Sequence, residues 1–114
     1  MKFTAVMVVN YLTPWYAMSI ADRVSFEQEH VFPAIGDFVK AGGDVTPVRA
    51  VRYSIEPESF FVMAFDEMEN YLDLVRSLRS TQLITGGLAE IAFEVVGLNE
   101  AYFAERDTAE AVAS

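Results

Sequence analysis

Three side chains in the first third of the chain could carry acid–base chemistry: Asn10, Glu27 and His30. His30 is the single histidine of the sequence and would titrate near neutral pH, so it is a candidate acid–base group. Glu27 shares a helical stripe with Val24 and Val31, where burial would raise the pKa of its carboxyl, as a general base needs. Asn10 ends an apolar segment and could donate a hydrogen bond to a developing oxyanion.

Each of these three residues also has a purely structural interpretation. His30 projects away from the centre of the apolar stripe and could be a boundary residue, unless a kink at Pro33 turns it inward. Glu27 could pair with an arginine, and Asn10 could simply begin a turn. One histidine without a second ligand at a workable spacing does not predict a metal site.

Aromatic and basic side chains supply further candidate contacts to a small molecule. Trp15 lies in the loop after the first apolar segment, where it either covers a pocket or anchors the loop. Arg49 and Arg52 lie on opposite faces of one predicted strand, so one of them could meet a carboxylate or an enolate inside the protein. Aromatic residues at strand or helix spacing usually pack in a core, but their phenols could also bind a ligand. The phenols considered are those of Tyr11, Tyr53 and Tyr71.

The sequence contains no motif for a bound cofactor. A nucleophile elbow, a phosphate-binding loop, a dinucleotide fingerprint and a zinc spacing are all missing. The double glycines at 42–43 and 86–87 are typical of helix ends. We therefore expect any chemistry to need no cofactor.

Charge and composition limit the partners. The chain has 17 acidic and 8 basic residues and a net charge of -9, which repels phosphate backbones and anionic lipids. We expect neither a nucleic-acid nor a membrane partner. There is no cysteine, hence no disulfide framework, and the cytoplasm is the default location.

Hydrophobic periodicity predicts four strands and two helices. Ser19 is the predicted N-cap of the first helix, and Pro33 should kink it or begin a second segment. The predicted elements are a strand at 2–11, a helix at 19–40, strands at 45–55 and 60–65, a helix from 66 or 67 toward 86, and a strand at 89–98.

This order predicts an α+β, ferredoxin-like βαββαβ fold, in which an antiparallel four-stranded sheet carries both helices on one face. Several strands are apolar on both sides; in the last one, Ile91, Phe93 and Val95 are expected to share a face. Two helices cover only one face, so a second copy packed sheet to sheet should cover the other. We expect a homodimer that closes a dimeric α+β barrel, with one domain at 1–103 and an acidic, alanine-rich tail at 104–114.

The segments "TPWYAMSIADR" and "EHVFP" resemble the darcynin family, small proteins of the dimeric α+β barrel superfamily. "DEMENYLDLVRSLRST" and "FEVVGLNEAYF" are also similar, whereas one residue is missing between Pro14 and Trp15. The resemblance implies the fold and the dimer but no established activity. The wider superfamily includes cofactor-free monooxygenases, isomerases, polyketide cyclases and haem-degrading enzymes, and the last would make His30 a conceivable axial ligand. The matching residues are Thr13, Pro14, Trp15, Ser19, Arg23, Glu29, His30 and Pro33.

Two hypotheses about function follow. The first is a small homodimeric, cofactor-independent enzyme that acts on an apolar aromatic or polyketide-like molecule by isomerisation, cyclisation or oxygenation, with His30 or Glu27 as the base and Asn10 as the oxyanion donor. The second is a non-catalytic dimer that binds a small molecule or has a structural role. Convergence of these three side chains on one cavity would favour the enzyme.

Overall fold

The computed structural model describes residues 1–51 and 59–104, which form one antiparallel sheet and the helices packed on it. The strands are β1 (Phe3–Tyr11), β2 (Asp44–Arg49), β3 (Ser59–Phe65) and β4 (Ala89–Leu98). The helices are α1 (Thr13–Tyr16), α2 (Ile20–Phe26), α3 (Phe32–Lys40), α4 (Met68–Ser80) and α5 (Gln82–Thr85). A π-helical turn (Glu27–Val31) joins α2 to α3, and a 3₁₀ turn (Glu100–Tyr102) follows β4.

The strand order is β2-β3-β1-β4, and all neighbours run antiparallel. This arrangement confirms the predicted ferredoxin-like fold. The two most apolar strands, β1 and β3, lie inside the sheet, whereas β2, which contains Pro47, is an edge strand. An edge position suits proline because its nitrogen cannot donate to a further strand.

The core lies between the sheet and the helices. Alternate residues of β1 and β3 point into it, and α4 contributes one face of the helix. Phe65 is fully buried and stacks on both Phe3 and Tyr71. Burial of side chains of this size contributes about 1.5–3 kcal/mol each. The largest buried side chains are Met7, Phe38, Met63 and Phe65.

The first helical region is interrupted where Pro33 predicts it. Ser19 caps α2, since its Oγ accepts a hydrogen bond from the Asp22 N–H at 3.1 Å, as predicted. Ahead of Pro33 the helix widens into the π turn, and the Phe32 N–H donates to the carbonyl of Glu27. Pro33 lacks an N–H, so a regular ladder cannot pass through it. The interruption is therefore one wide turn, and α3 begins directly after it.

A β-bulge in β4 changes which of its side chains point toward the core. The register between β1 and β4 shifts so that Val9 pairs with Ile91 while Val8 pairs with Phe93. One extra residue in β4 reverses the alternation beyond that point. Ile91 packs against the core, whereas Phe93 and Val95 point to the opposite side and are 52% and 48% exposed. The expectation that these three residues share a face was wrong.

The sheet face opposite the helices is apolar, and we call it the outer face. Every described α-helix contributes a residue to the core on the other side. The described helices therefore cover only one face of the sheet. The apolar pattern of β1 and β3 on both sides predicts that the other face is apolar as well. The outer face is formed by Val6, Val8, Val48, Phe60, Val62, Phe93 and Val95.

Some predicted boundaries differ. The second helix ends at Ser80 and is followed by the short α5, and β2 ends at Arg49. The predicted continuation of β2 falls largely in 52–58, which lies outside the described residues together with Arg52 and Tyr53. The predicted tail also lies outside them from residue 105 onward. No helix in the described part of the chain has the length and apolarity needed to span a bilayer.

Candidate functional site

An open cleft lies between the edge of the sheet and the first helical region. Its volume is about 610 Å³, within the range typical of small-molecule sites. Strands β2 and β3 form one wall, and the π turn with α3 forms the other. The strand wall consists of Val45, Pro47, Val48, Arg49, Ser59 and Phe61, the helix wall of Glu27, Val31, Phe32, Ile35 and Val39, and Tyr11 and Leu83 complete the cleft.

A second, smaller space adjoins the cleft from inside the core. This inner cavity has a volume of about 40 Å³ and lies between the sheet and α3, α4 and α5. The two spaces adjoin, since they share six lining residues: Tyr11, Val31, Ile35, Val45, Phe61 and Leu83. Apart from the phenol of Tyr11, its lining is aliphatic or aromatic. The inner cavity would accept only the apolar end of a ligand.

Glu27 is the carboxyl group of the cleft. It lies on the first turn of the π segment and is half-buried against the apolar wall. Burial raises the pKa of its carboxyl, which is the direction that its place on the apolar stripe predicts. Its side chain makes no hydrogen bond or ion pair with another described residue. Glu27 is therefore free to exchange a proton with a molecule in the cleft.

His30 lines neither the cleft nor the inner cavity. Its ring packs against Phe26 at a centroid distance of 4.5 Å, and its side chain is 25% exposed. Nε2 lies 3.9 Å from Oε2 of Glu29. The π turn ahead of Pro33 does not bring His30 into the cleft, so His30 is the boundary histidine of the structural interpretation.

Asn10 lies on the outer face of the sheet, away from the helices. Its Nδ2 donates to Oε1 of Glu90 at 3.2 Å on an exposed part of the surface. Strand alternation explains this, because the next residue, Tyr11, points toward the helices and lines both spaces. The three predicted catalytic residues thus do not converge on one cavity.

Trp15 lies in α1, a single helical turn where the sequence predicts a loop, and it anchors the segment between β1 and α2. Its side chain is 5% exposed, stacks on Tyr11 at 5.0 Å and meets Phe26 edge-on at 5.9 Å. Arg23 fixes the same segment, since its Nε donates to the Trp15 carbonyl at 3.1 Å. The indole does not line the cleft, so of the two interpretations for Trp15 the structure favours the anchor.

Tyr71 is a core residue. Its ring lies parallel to that of Phe65 at 5.1 Å, and its hydroxyl donates to Oε2 of Glu94 at 2.6 Å. Burial, and next the hydrogen bond to Glu94 and its negative charge, raise the pKa of the Tyr71 phenol well above its ordinary value. Tyr71 lines neither the cleft nor the inner cavity, so the structure gives it no contact with a ligand there.

Arg49 is the candidate arginine that reaches the cleft. It ends β2 opposite Ser59 of β3 and is exposed. Among the described residues it makes no hydrogen bond or ion pair. Arg52 and Tyr53, the other predicted contacts on this strand, lie outside the described residues.

Two polar residues near these groups were not predicted. Ser59 enters the cleft because the hairpin register sets it beside Arg49, and the length of the connecting segment leaves that register open in the sequence. Glu94 points toward α4 only because of the bulge in β4. The available signal for Glu94 was a carboxylate between Phe93 and Val95 in a mainly apolar strand, which also contains Glu90.

The described residues provide no suitable set of ligands for a metal ion or a haem. Within 1–51 and 59–104, no group of three or more histidine, aspartate or glutamate side chains could hold a metal ion. No histidine lines the cleft or the inner cavity, so a haem held there by an axial histidine does not fit this chain.

Solved structures with the same fold include chlorite dismutases. A protein provisionally assigned as a chlorite dismutase superposes with a TM-score of 0.71 at 13% identity, covering 89% of this chain and 46% of that one. A single-site variant of chlorite dismutase from Candidatus Nitrospira defluvii gives 0.70 at 14% identity, covering 89% and 42%. The same enzyme in complex with imidazole gives 0.71 at 15% identity, covering 85% and 40%.

These likenesses establish the fold of this chain and nothing finer, because the identities are low. The chain spans less than half the length of the chlorite dismutases that it matches. No family profile matches the sequence, and no curated protein matches it. The class that fold and site define is thus a ferredoxin-like α+β protein with an apolar cleft beside its sheet.

Proposed function

We propose that this protein is a small homodimeric enzyme that acts on an apolar small molecule by proton transfer, with Glu27 as the general base. The observation that carries the proposal is the carboxyl of Glu27, which is half-buried in the apolar wall of the cleft and has no partner among the described residues. A desolvated carboxylate is a stronger base than an exposed one.

The reaction that suits this group is proton abstraction from carbon next to a carbonyl. The C–H bond breaks and its proton passes to a carboxylate oxygen of Glu27. The C–H electron pair forms a C=C bond, and the carbonyl π pair moves to oxygen to give an enolate. In a β,γ-unsaturated ketone this enolate is conjugated, and return of the proton from Glu27 to the γ-carbon would complete an isomerisation. Since the cleft is mainly apolar, an aromatic or polyketide-like ketone fits its walls best.

Dimerisation belongs to the same proposal. The outer face presents apolar side chains such as Phe93 and Val95 to solvent, and isolated domains rarely expose a continuous apolar surface of this kind. A second copy packed face to face would bury about 800 Å² on each partner. The likeness to the darcynin segments and to the dimeric α+β barrel superfamily supports the same assembly.

The experiment that tests the enzyme is solvent exchange at carbon. Aromatic ketones and 1,3-dicarbonyl compounds are incubated in D₂O with the protein, and loss of the α-proton is followed by NMR. We expect acceleration for at least one compound and a loss of about 10²–10⁴-fold in Glu27→Gln. Arg76→Gln, on an exposed turn of α4, is the control that keeps the activity. Equal exchange with Glu27→Gln and the unchanged protein would refute the role of Glu27.

A second candidate function is binding without catalysis. Asn10, the predicted oxyanion donor, faces away from the cleft, and the inner cavity is lined almost entirely by apolar groups. If compounds bind in the cleft and none exchanges its α-proton faster, this second function replaces the first.

A further inference from the structure

The cleft contains two groups of opposite charge on opposite walls. Among the described residues that line it, Arg49 is the only cation and Glu27 the only anion. Neither makes a hydrogen bond or ion pair with a described residue, so the two are not paired with each other. A guanidinium left without a carboxylate at the side of an apolar cleft can bind an anionic group of a ligand.

The rest of the cleft suits an apolar chain or ring. Val45 and Phe61 line both the cleft and the inner cavity, and they lie on the same strand wall as Arg49. A ligand whose charged end lies at Arg49 would therefore run along these side chains toward the inner cavity. Its charged end would remain near solvent while its apolar end is buried, which is the least costly way to place an amphipathic molecule.

We propose that the ligand of the cleft is a small amphipathic carboxylate whose carboxylate group binds Arg49 and whose apolar body lies along Val45 and Phe61 toward the inner cavity. This inference rests on the proposed function, since it names the class of molecule that occupies the same site. Ser59, which is paired with Arg49 across the hairpin, lines the cleft at the same end and can donate a hydrogen bond to the carboxylate.

A carboxylate fits this site better than a phosphate. The chain carries a net charge of -9, and the described part of the cleft offers one cation against that field. A single guanidinium can bind a monoanion in bidentate fashion, whereas a dianionic phosphate would need further positive groups. Because the net negative charge of the chain repels anions, the protein can prefer an anion over a neutral analogue only where a cation lies close to the bound anion.

The test compares two probes with the same apolar length. Octanoate and 1-octanol are titrated into the full chain by isothermal calorimetry at pH 7.5 and 0.15 M salt. We expect octanoate to bind about tenfold more tightly than octanol, which is the usual effect of a charge-assisted hydrogen bond. Arg49→Gln should remove that preference and leave octanol binding unchanged, while the control Arg76→Gln should keep both affinities.

The outcomes separate this inference from the proposed function. Equal affinities for the two probes, or an unchanged preference for octanoate in Arg49→Gln, would refute the binding of a carboxylate by Arg49. The proposal of an apolar ligand in the cleft would stand in that case. If neither probe binds the unchanged protein, the carboxylate inference falls and the apolar cleft loses its support as well. Folding of each variant is checked by circular dichroism, and Arg49→Lys, which retains the charge, should recover part of the preference.

Discussion

At the scale of single residues, Glu27 should make stability depend on pH. Burial raises the pKa of its carboxyl above the ordinary value of 4.5, so the folded state holds this proton more tightly than the unfolded state. The contribution of the protonated Glu27 carboxyl to the stability of the folded state is fully present below pH 4.5, and it is lost as the pH rises through the raised pKa. Relative to Glu27→Gln, the protein should therefore lose thermal stability between acidic and neutral pH.

The measurement is the difference in Tm between Glu27→Gln and the unchanged protein from pH 4 to pH 8. We expect the difference in Tm to grow with pH. The corresponding difference in the free energy of unfolding should stay below about 1 kcal/mol, because solvent screens a carboxyl that is only partly buried. Asp37→Asn removes an exposed carboxyl of α3 that makes no side-chain hydrogen bond or ion pair with a described residue, and it controls for the loss of one negative charge. A difference in Tm that is constant over this range would contradict the desolvation of Glu27.

Tyr71 gives a second prediction at this scale. Tyr71→Phe removes the hydroxyl that donates to Glu94 at 2.6 Å but keeps the ring stacked on Phe65. The free energy of unfolding in urea should fall by about 1.5–3 kcal/mol, the usual contribution of a hydrogen bond to a charged group. Tyr102→Phe is the control, since no hydrogen bond joins its hydroxyl to a described residue. An unchanged free energy of unfolding in Tyr71→Phe would show that the hydrogen bond between Tyr71 and Glu94 makes no net contribution to stability.

Among the candidate residues, periodicity placed Glu27 on the apolar stripe and His30 at its edge, and the structure has both of them there. Glu27 lies on the stripe with Val31, and three-residue or four-residue spacing is enough to place it. His30 lies at the edge of that stripe, where the π turn decides its direction, and no pattern in the sequence specifies a π turn. Asn10 and Tyr11 were known to face opposite ways, but which of them faces the helices required the structure.

At the scale of elements, the end of α3 shows how closely helix and strand approach each other. A Cβ at Gly43 would overlap the ring of Phe38, a buried core residue, so Gly43→Ala must displace that ring. Overpacking of this kind costs about 1–3 kcal/mol. We expect a lower midpoint in urea unfolding for Gly43→Ala.

Gly36 provides the matched comparison on the same helix. A Cβ there would meet no atom within 4 Å, and Gly36 lies inside α3. Gly36→Ala should raise the free energy of unfolding by about 0.5–1 kcal/mol, because alanine restricts the unfolded chain more than glycine does. Equal midpoints for the two variants would mean that Gly43 is not held against Phe38.

Most elements could be predicted from the sequence, and the exceptions have a common cause. Alternation located all four strands, and Ser19 located the start of the first helix. The bulge in β4 was not predictable, because the residue it inserts, Ala92, is small enough to fit either face. The π turn and the bulge each add one residue to a regular element, and hydrophobic periodicity does not register a single addition of this size.

At the scale of the whole molecule, the outer face should determine the oligomeric state. We expect two chains of 12.7 kDa each to sediment together as a particle of about 25 kDa at micromolar concentration. Phe93→Asp should shift the particle to the monomer, because an unpaired charge buried in an apolar interface is costly. Analytical ultracentrifugation measures both species.

Ile20 supplies the control for this prediction. It is 75% exposed and lies on α2, on the helical side of the molecule. Ile20→Asp makes the same chemical change far from the outer face, so the dimer should persist. A monomer of the unchanged protein at this concentration, or dissociation by both variants alike, would rule out association through the outer face.

Pro47 limits association of the chain through the edge strand β2. It occupies the middle of the edge strand β2, where its ring nitrogen removes one of the donors that a foreign strand would need. Growth of the sheet sideways into fibrils is thereby discouraged at this border, even though more than half of the residues are hydrophobic. A chain this rich in apolar residues thus has one sheet border, β2, along which a foreign strand cannot form an unbroken ladder of hydrogen bonds.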